Sequence, residues 1–257
     1  MTVLDDIRRL LKTKVGLDMT GVRDEQLERR IANYCRRNRV AESELIGTLN
    51  DDKTLDNFLD SLTINVTSLF RNADRWSEIE KVMKTFGSRP DFWSAGCSKG
   101  AEAYTMAIVA DRLGIKPSIF ASDIDTRILA AAVEGVYTQQ EIREVPRDVL
   151  AKYLTELDGS YRVDRKVASM VKFERQDLLA GPMPRKKFDL IACRNVAIYF
   201  SQEAKRELHA NLAACLKPGG YLFIGSTERV DDPAGLGLTS TSPFIYQAIA
   251  EPVGSAS

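Results

Sequence analysis

The second half of the sequence alternates short apolar runs with helical segments, and this alternation restricts the possible folds more than any other feature. It is typical of an α/β fold, in which a parallel sheet carries helices on both faces. The final apolar segment, LTSTSPFIYQAIA, predicts two short strands that pair antiparallel at the sheet edge. In chain order the other predicted elements are strand 91–95, helix 100–113, strand 118–122, helix 126–134, strands 171–175 and 188–193, helix 202–216 and strand 220–225.

A turn of small residues joins the first strand to the first helix of this half, within the stretch DFWSAGCSKGAEAY. Gly96 and Gly100 would let the backbone pass close to a bound ligand. The turn lacks the fingerprint G-x-G-x-x-G, so it is a weak signal, and a turn without a function explains it equally well.

Polar residues or glycine follow four of the predicted strands, where ligands of doubly wound sheets bind. These residues are Gly96, Asp123, Asp177 and Asn195. Asp123 comes 27 residues after Gly96, where an acid accepts hydrogen bonds from the ribose hydroxyls of a nucleoside. Asp125 is predicted to cap the next helix instead.

One stretch, residues 136–170, interrupts the regular alternation. Pro146 opens a short helix, and the Asp158-Gly159 turn predicts a small antiparallel β-subdomain at about residues 146–170. This insertion is either simple decoration or a partner site. The sequence LKPGG, residues 216–220, is predicted to cap the preceding helix and to turn tightly into the next strand.

Residues 1–64 are predicted to be entirely helical. The first helix has Thr2 as its N-cap and Asp5 three residues later, and Gly16 would end it. The second helix, from Asp24 to about Val40, carries four arginines beside its apolar stripe. Such a face suits an acidic partner, although a solvated surface explains it as well. The four residues are Arg29, Arg30, Arg36 and Arg37.

Composition sets outer limits on the function. The chain has 257 residues, 44% of them hydrophobic, with 36 basic and 36 acidic residues. This balance gives no overall charge that would attract nucleic acid or a membrane surface. The four cysteines form no C-x-x-C pair, so we expect reduced thiols and no metal site. The charged amino terminus and the lack of a long apolar run predict a soluble, intracellular protein.

Five motifs together resemble one protein family. They are TINVTSLFR, WSAGCSKGAEAY, FASDID, FDLIACRNVAIYF and LKPGG, which follow each other in the family's order. On these residues the chain resembles the CheR chemotaxis receptor methyltransferases, which are class I S-adenosylmethionine-dependent enzymes. The resemblance implies an N-terminal helical domain at 1–64 and a connector with a linker helix at 65–90. A doubly wound, seven-stranded Rossmann-like domain would follow at 91–257 and bear the β-subdomain.

The resemblance also assigns roles to individual residues. Asn65, Thr67 and Arg71 would fold over the cofactor, Glu102 would hold its amino group, and Asp123 would bind its ribose. Asp177 and Leu178 would flank the adenine, Asn195 and Val196 would complete the pocket, and Gly96 would also contact the cofactor. The chain departs from the family at Leu69, Ala101, Ala103 and Asp177, where phenylalanine, glutamate, proline and asparagine are common. An ionised aspartate only accepts hydrogen bonds, so Asp177 makes the adenine contact less certain.

The family's substrate is a glutamate side chain on the cytoplasmic helical bundle of a chemoreceptor, which becomes a γ-methyl ester as S-adenosylmethionine becomes S-adenosylhomocysteine. Arg71 and Tyr199 would position the reacting groups, and the arginines of the second helix would face the acidic receptor. No metal is implied.

A nucleic-acid methyltransferase is the main alternative. Against it, the chain has no N/D-P-P-Y motif after the fourth strand, and aromatic residues are not interleaved with the basic residues of the second helix. A non-catalytic cofactor-binding module is a second alternative.

Overall fold

A computed structural model describes residues 2–15, 17–62 and 67–249, except for the side chain of Asp60. Contacts divide the chain into two units, Met1–Val66 with Tyr199–Lys205 and Thr67–Ile198 with Arg206–Ser257. No helix in the described ranges is long and apolar enough to cross a membrane.

The helices are α1 (Val3–Val15), α2 (Asp24–Asn38), α3 (Glu42–Thr48), α4 (Asp52–Leu62), α5 (Ala73–Met83), α6 (Ala101–Arg112), α7 (Thr126–Glu134), α8 (Arg147–Tyr153), α9 (Arg165–Ala168) and α10 (Gln202–Ala214), with 3₁₀ turns at Ala197–Tyr199 and Ala234–Leu236. The strands are β1 (Asp91–Ala95), β2 (Ser118–Asp123), β3 (Val136–Thr138), β4 (Leu154–Leu157), β5 (Ser160–Val163), β6 (Val171–Arg175), β7 (Phe188–Cys193), β8 (Leu216–Ile224), β9 (Leu238–Ser242) and β10 (Ile245–Ala248).

The first unit contains helices α1 to α4, which confirms the helical prediction for its described residues. Helix α1 begins with the expected reciprocal cap. The Thr2 hydroxyl accepts a hydrogen bond from the Asp5 N–H at 3.2 Å, and the Asp5 carboxylate accepts one from the Thr2 N–H at 2.9 Å. The predicted helix end at Gly16 lies outside the described residues.

The second unit is built on a seven-stranded sheet with the strand order β6-β2-β1-β7-β8-β10-β9. The first five strands pair in parallel, whereas β10 runs antiparallel to both β8 and β9. This sheet confirms the doubly wound fold and the antiparallel pair at its edge. The central strands are buried on both faces, as parallel strands covered by helices must be, and Phe92 and Trp93 of β1 are fully buried.

A separate three-stranded antiparallel sheet, ordered β3-β5-β4, forms the small β-subdomain. Asp158 and Gly159 both adopt positive φ angles, 43° and 80°, and form the predicted tight turn between β4 and β5. Strand β3 pairs with β5 and lies upstream of residue 146. Its three residues are too few to show a strand period in the sequence, so the prediction missed it.

The LKPGG prediction was wrong in one respect. Helix α10 ends at Ala214, and β8 already begins at Leu216, which pairs with Phe188 of β7. The register between these strands then shifts between Phe188 and Leu190. Such an irregularity accommodates Pro218 and the glycines inside a strand, because local ladder bonds are already interrupted there.

The N-cap of α7 supports a first test of the fold. The Asp125 carboxylate accepts hydrogen bonds from the N–H groups of Arg127 and Ile128 at 2.9 and 3.4 Å. We expect Asp125→Ala to lower the free energy of unfolding by about 0.5–2 kcal/mol, measured by urea denaturation. Asp125→Asn keeps an acceptor oxygen and should recover most of this loss. Equal losses in the two variants would contradict the capping role.

Candidate functional site

The strand order places a crevice beside the central strand of the large sheet. Strand β1 pairs with β2 on one side and β7 on the other, and the chain reverses its winding direction between these two neighbours. Ligands of doubly wound sheets bind at such a point, beyond the carboxyl ends of the strands. Gly96 follows β1, Asp123 ends β2 and Asn195 follows β7, so the structure brings these predicted residues to one edge of the sheet.

The turn after β1 is held close to β2 and leaves no room for a side chain. The N–H groups of Gly96 and Cys97 both donate to the Ser122 carbonyl, at 2.8 and 2.9 Å. Gly96 has a φ of +76°, and a Cβ atom there would lie 2.5 Å from Cγ2 of Val196. Glycine is therefore required both by backbone conformation and by space, because Gly96 and Val196 lie in contact.

Asp123 presents a partly buried carboxylate at the edge of this turn. Its Oδ2 atom accepts a hydrogen bond from the Ser98 N–H at 2.8 Å, and its Oδ1 atom accepts one from the Asp125 N–H at 3.1 Å. Burial raises the pKa of Asp123, and these two hydrogen bonds oppose the rise. A carboxylate has about four lone-pair sites, so Asp123 retains the capacity to accept a hydrogen bond from a ribose hydroxyl.

Glu102, on the first turn of α6, belongs to a buried polar cluster. Its Oε1 atom accepts a hydrogen bond from the Ser94 hydroxyl at 2.7 Å, and its Oε2 atom lies 3.8 Å from Nη1 of Arg194. Burial raises the pKa of Glu102, while the positive charges of Arg194 and Arg71 oppose the rise. The cluster thus keeps a carboxylate close to two cations at the sheet edge.

Arg194 is anchored to protein groups rather than exposed at the strand end. Its Nη2 atom donates to the Arg71 carbonyl and to Oδ1 of Asn72, both at 2.9 Å. The guanidinium also stacks over the Phe223 ring, 4.7 Å from its centroid. Arg194 therefore connects β7 to the segment before α5.

That segment, residues 67–72, is fixed to the second unit by its own backbone. The Leu69 N–H donates to the Glu141 carbonyl at 2.9 Å, and the Phe70 N–H donates to the Thr105 hydroxyl at 3.0 Å. The Asn72 N–H donates to the Glu144 carboxylate at 2.8 Å. Phe70 and Asn72 have φ angles of 58° and 60°, a left-handed conformation that is strained for residues other than glycine. Arg71 is thus held between two constrained residues. Thr67 is half-buried, and Asn65 lies outside the described residues.

Glu228 is a member of the site that the sequence interpretation missed. Its Oε2 atom accepts hydrogen bonds from the N–H groups of Asn195 and Gly225, both at 2.7 Å. Asn195 has a φ of 61°, so this carboxylate stabilises a strained residue of the predicted pocket. Burial raises the pKa of Glu228, and the N–H groups of Asn195 and Gly225 oppose the rise. An acid shortly after the buried strand β8 was the available signal.

Asp177 and Leu178 form a turn next to Asp123. The Gln176 N–H donates to the Asp123 carbonyl at 3.0 Å, which ties the turn to the end of β2. Oδ1 of Asp177 accepts hydrogen bonds from the N–H groups of Leu179 and Ala180, at 2.9 and 3.0 Å. The acceptor-only character of aspartate therefore suits this turn, and Leu178 is buried beside it.

Comparison with known proteins now adds to this geometry. The family model "CheR methyltransferase, SAM binding domain" matches residues 65–242. This chain belongs to the CheR methyltransferase family. The chemotaxis protein methyltransferase of Listeria monocytogenes is 34% identical over 93% of this chain and 94% of its own length. The chemotaxis protein methyltransferase of Borreliella burgdorferi is 29% identical over 88% of this chain and 88% of its own length. That of Escherichia coli is 37% identical over 67% of this chain and 63% of its own length.

The cofactor of this CheR-family chain is S-adenosylmethionine, and the residues at the sheet edge fit it. Gly96 keeps the loop after β1 free of a side chain, and Asp123 offers acceptor atoms beside this loop. Carboxylates line the same edge, which suits a cofactor with two positive centres.

The structure groups Tyr199 and the four arginines of α2 with the first unit. Arg29, Arg36 and Arg37 are exposed, but Arg30 is only 9% exposed and its guanidinium lies 4.3 Å from the centroid of the Tyr199 ring. The expectation that all four arginines share one exposed face was therefore wrong for Arg30. Its side chain packs inward because it borders the apolar stripe of α2.

The Asp123 assignment predicts a loss of cofactor affinity. Removing the carboxylate in Asp123→Ala should weaken binding of S-adenosylmethionine and S-adenosylhomocysteine by about 1.5–3 kcal/mol, the usual contribution of hydrogen bonds to a charged group. Titration calorimetry measures both affinities, and Glu134→Ala, at an exposed acid near the end of α7, serves as the control. Unchanged affinity in a folded Asp123→Ala variant would remove the ribose assignment.

Proposed function

We propose that this protein transfers a methyl group from S-adenosylmethionine to glutamate side chains of methyl-accepting chemotaxis receptors, forming glutamate γ-methyl esters. Membership of the CheR family supports the proposal, as do relatives named as chemotaxis protein methyltransferases. The reaction would take place in the cytoplasm, on the helical bundle that carries the receptor glutamates.

The chemistry of the acceptor explains what the site has to provide. S-adenosylmethionine supplies a methyl group attached to a positively charged sulfur. A glutamate side chain has a pKa near 4.3, so it is already ionised at neutral pH and needs no general base. The only histidine of the chain, His209, is buried in α10 with 3% of its surface exposed. The protein therefore has to align the carboxylate with the methyl group and exclude water.

The fixed position of Arg71 is the observation that carries this proposal. Hydrogen bonds from the N–H groups of Leu69, Phe70 and Asn72 hold the backbone around it, and its charge acts on the buried Glu102. An arginine binds a carboxylate through two parallel hydrogen bonds, so Arg71 can orient the substrate carboxylate or that of the cofactor. Tyr199 would complete the arrangement by directing its hydroxyl to the reacting carboxylate.

The remaining pocket residues would bind the cofactor. Glu102 would hold the amino group of the cofactor and Asp123 its ribose hydroxyls, since both carry acceptor atoms at the sheet edge. Asp177 and Leu178 would flank the adenine from their turn. The remaining contacts would come from Asn65, Thr67, Gly96, Asn195 and Val196.

Three exposed arginines of α2, in the first unit, would form the surface that contacts the receptor. Arg29, Arg36 and Arg37 are exposed, and they suit an acidic helical bundle because opposite charges steer association. Arg30 is excluded from this surface by its burial. Exposed ion pairs contribute about 0.2–1 kcal/mol each, so only multiple substitutions should have large effects.

A labelling experiment tests the reaction itself. We expect incubation with methyl-labelled S-adenosylmethionine and receptor-containing membranes to label the receptor, and mild alkali to release the label as volatile methanol. Carboxyl methyl esters hydrolyse under these conditions, whereas N-methyl groups do not. Receptors whose acceptor glutamates are replaced by alanine provide the control. Base-stable label, or label recovered in nucleic acid, would contradict the proposal.

The receptor surface gives a separate prediction. Arg36→Glu combined with Arg37→Glu should raise the receptor KM and reduce its salt dependence, because attraction to an acidic surface is lost. Cofactor affinity should not change. Lys81→Glu with Lys84→Glu, at the C-terminal end of α5 and its C-cap, makes the same change in net charge elsewhere and should leave the receptor KM near that of the wild type. Ordinary receptor methylation by the α2 variant at low salt would show that these arginines are only a solvated face.

A further inference from the structure

The chain around Tyr199 is bound to the N-terminal helical unit by its backbone. The Arg23 N–H donates to the Tyr199 carbonyl at 3.1 Å, and the Ser201 N–H donates to the Gly21 carbonyl at 2.9 Å. Between these bonds, Val22 and Phe200 form an isolated antiparallel bridge. The backbone of Tyr199 is therefore fixed, whereas its ring can still rotate about the side-chain bonds and needs a further contact to hold it.

Arg30 supplies that contact. Its guanidinium lies 4.3 Å from the centroid of the Tyr199 ring, a distance at which a cation is attracted to an aromatic face. Only 9% of the Arg30 surface is exposed, and Nε and Nη2 form no hydrogen bond with any described part of the chain. The contact with Tyr199 is thus a main restraint on the guanidinium, and the positions of the two groups depend on each other.

Burying this cation is unfavourable for stability. Burial lowers the pKa of Arg30, and its interaction with Tyr199 opposes that effect. Two donor nitrogens without a hydrogen bond, Nε and Nη2, add the cost of lost hydration, which an apolar side chain of similar length would avoid. An arginine at this position therefore calls for a role other than packing.

We propose that Arg30 is a positioning residue for methyl transfer, which holds the ring of Tyr199 so that its hydroxyl points to the reacting carboxylate. This inference rests on the proposed function. Arg30 differs in this role from its exposed neighbours on α2, because it acts through Tyr199 and not by attracting the receptor.

A double-mutant cycle tests the coupling, with Arg30→Met, Tyr199→Phe and the double variant compared with the wild type. Methionine keeps much of the length but removes the cation. We expect Arg30→Met to lower kcat roughly 10- to 100-fold through misplacement of a reacting group. The receptor KM and the cofactor Kd should stay within about twofold of the wild type, since neither binding step depends on the tyrosine hydroxyl. The double variant should be no slower than Tyr199→Phe alone, because the hydroxyl that Arg30 positions is already absent.

Two further measurements separate positioning from a structural role. The midpoint of urea unfolding for Arg30→Met should equal or exceed that of the wild type, because an unpaired buried charge has been removed. Arg30→Lys retains a cation and should recover part of the lost kcat. Arg9→Met makes the same substitution at an exposed arginine of α1, paired with Asp6, and should leave kcat unchanged.

The inference is overturned if the kcat losses of the two single variants multiply in the double variant. It is also overturned if Arg30→Met raises the receptor KM without lowering kcat, or if it lowers the unfolding midpoint in proportion to activity. Failure of the proposed function would be visible in the wild type, which would release no methanol from the labelled receptor. Failure of this inference would be visible only in variants of an active wild type.

Discussion

The proposed cofactor site of this protein depends on one buried cation, Arg194. Its guanidinium donates to the Arg71 carbonyl and the Asn72 side chain, lies 3.8 Å from the Glu102 carboxylate, and stacks over Phe223. Burial lowers the pKa of Arg194, and the charge of Glu102 opposes that effect. A buried charge is tolerated only when its partners are well placed, so the geometry around Arg194 has little freedom. Loss of this residue would remove one of the two cations that interact with Glu102, together with two hydrogen bonds that hold the segment carrying Arg71.

Three buried or partly buried acids hold the loops at the sheet edge. Asp123 accepts a hydrogen bond from the Ser98 N–H of the loop after β1, and Glu228 accepts one from the Asn195 N–H after β7. Glu102 is held by Ser94 and lies near Arg194. Each acid thus has hydrogen-bond donors in place before any ligand binds, and loops fixed in this way lose less entropy on binding. The same carboxylates give this edge a negative character that suits a positively charged cofactor.

The sequence predicted most of the fold because alternating strands and helices leave strong local patterns. The bounds of β1, β6, β7 and α7 agree with prediction to the residue. Strand β3 and the start of β8 were missed because tertiary pairing with β5 and β7 creates them.

The inward packing of Arg30 could have been predicted from the sequence. Arg30 lies three residues after Leu27 and four before Tyr34, which is the spacing of one helical face. Arg29 and Arg36 lack this spacing to the stripe and remain exposed. Glu228 carried no motif, and its role arises only when β8 lies beside β7.

The stretch from Asn195 to Tyr199 is held at both ends by different means. At one end, the Glu228 carboxylate binds the Asn195 N–H within the second unit. At the other end, the Arg23 N–H and the Arg30 guanidinium fix the backbone and ring of Tyr199 within the first unit. The proposed methyl transfer to a carboxylate needs no general base and would depend chiefly on alignment. Within each unit, buried polar groups of this kind stabilise the fold less than apolar side chains of similar size would. Under the proposed function, the alignment that the reaction needs explains why the polar groups are there.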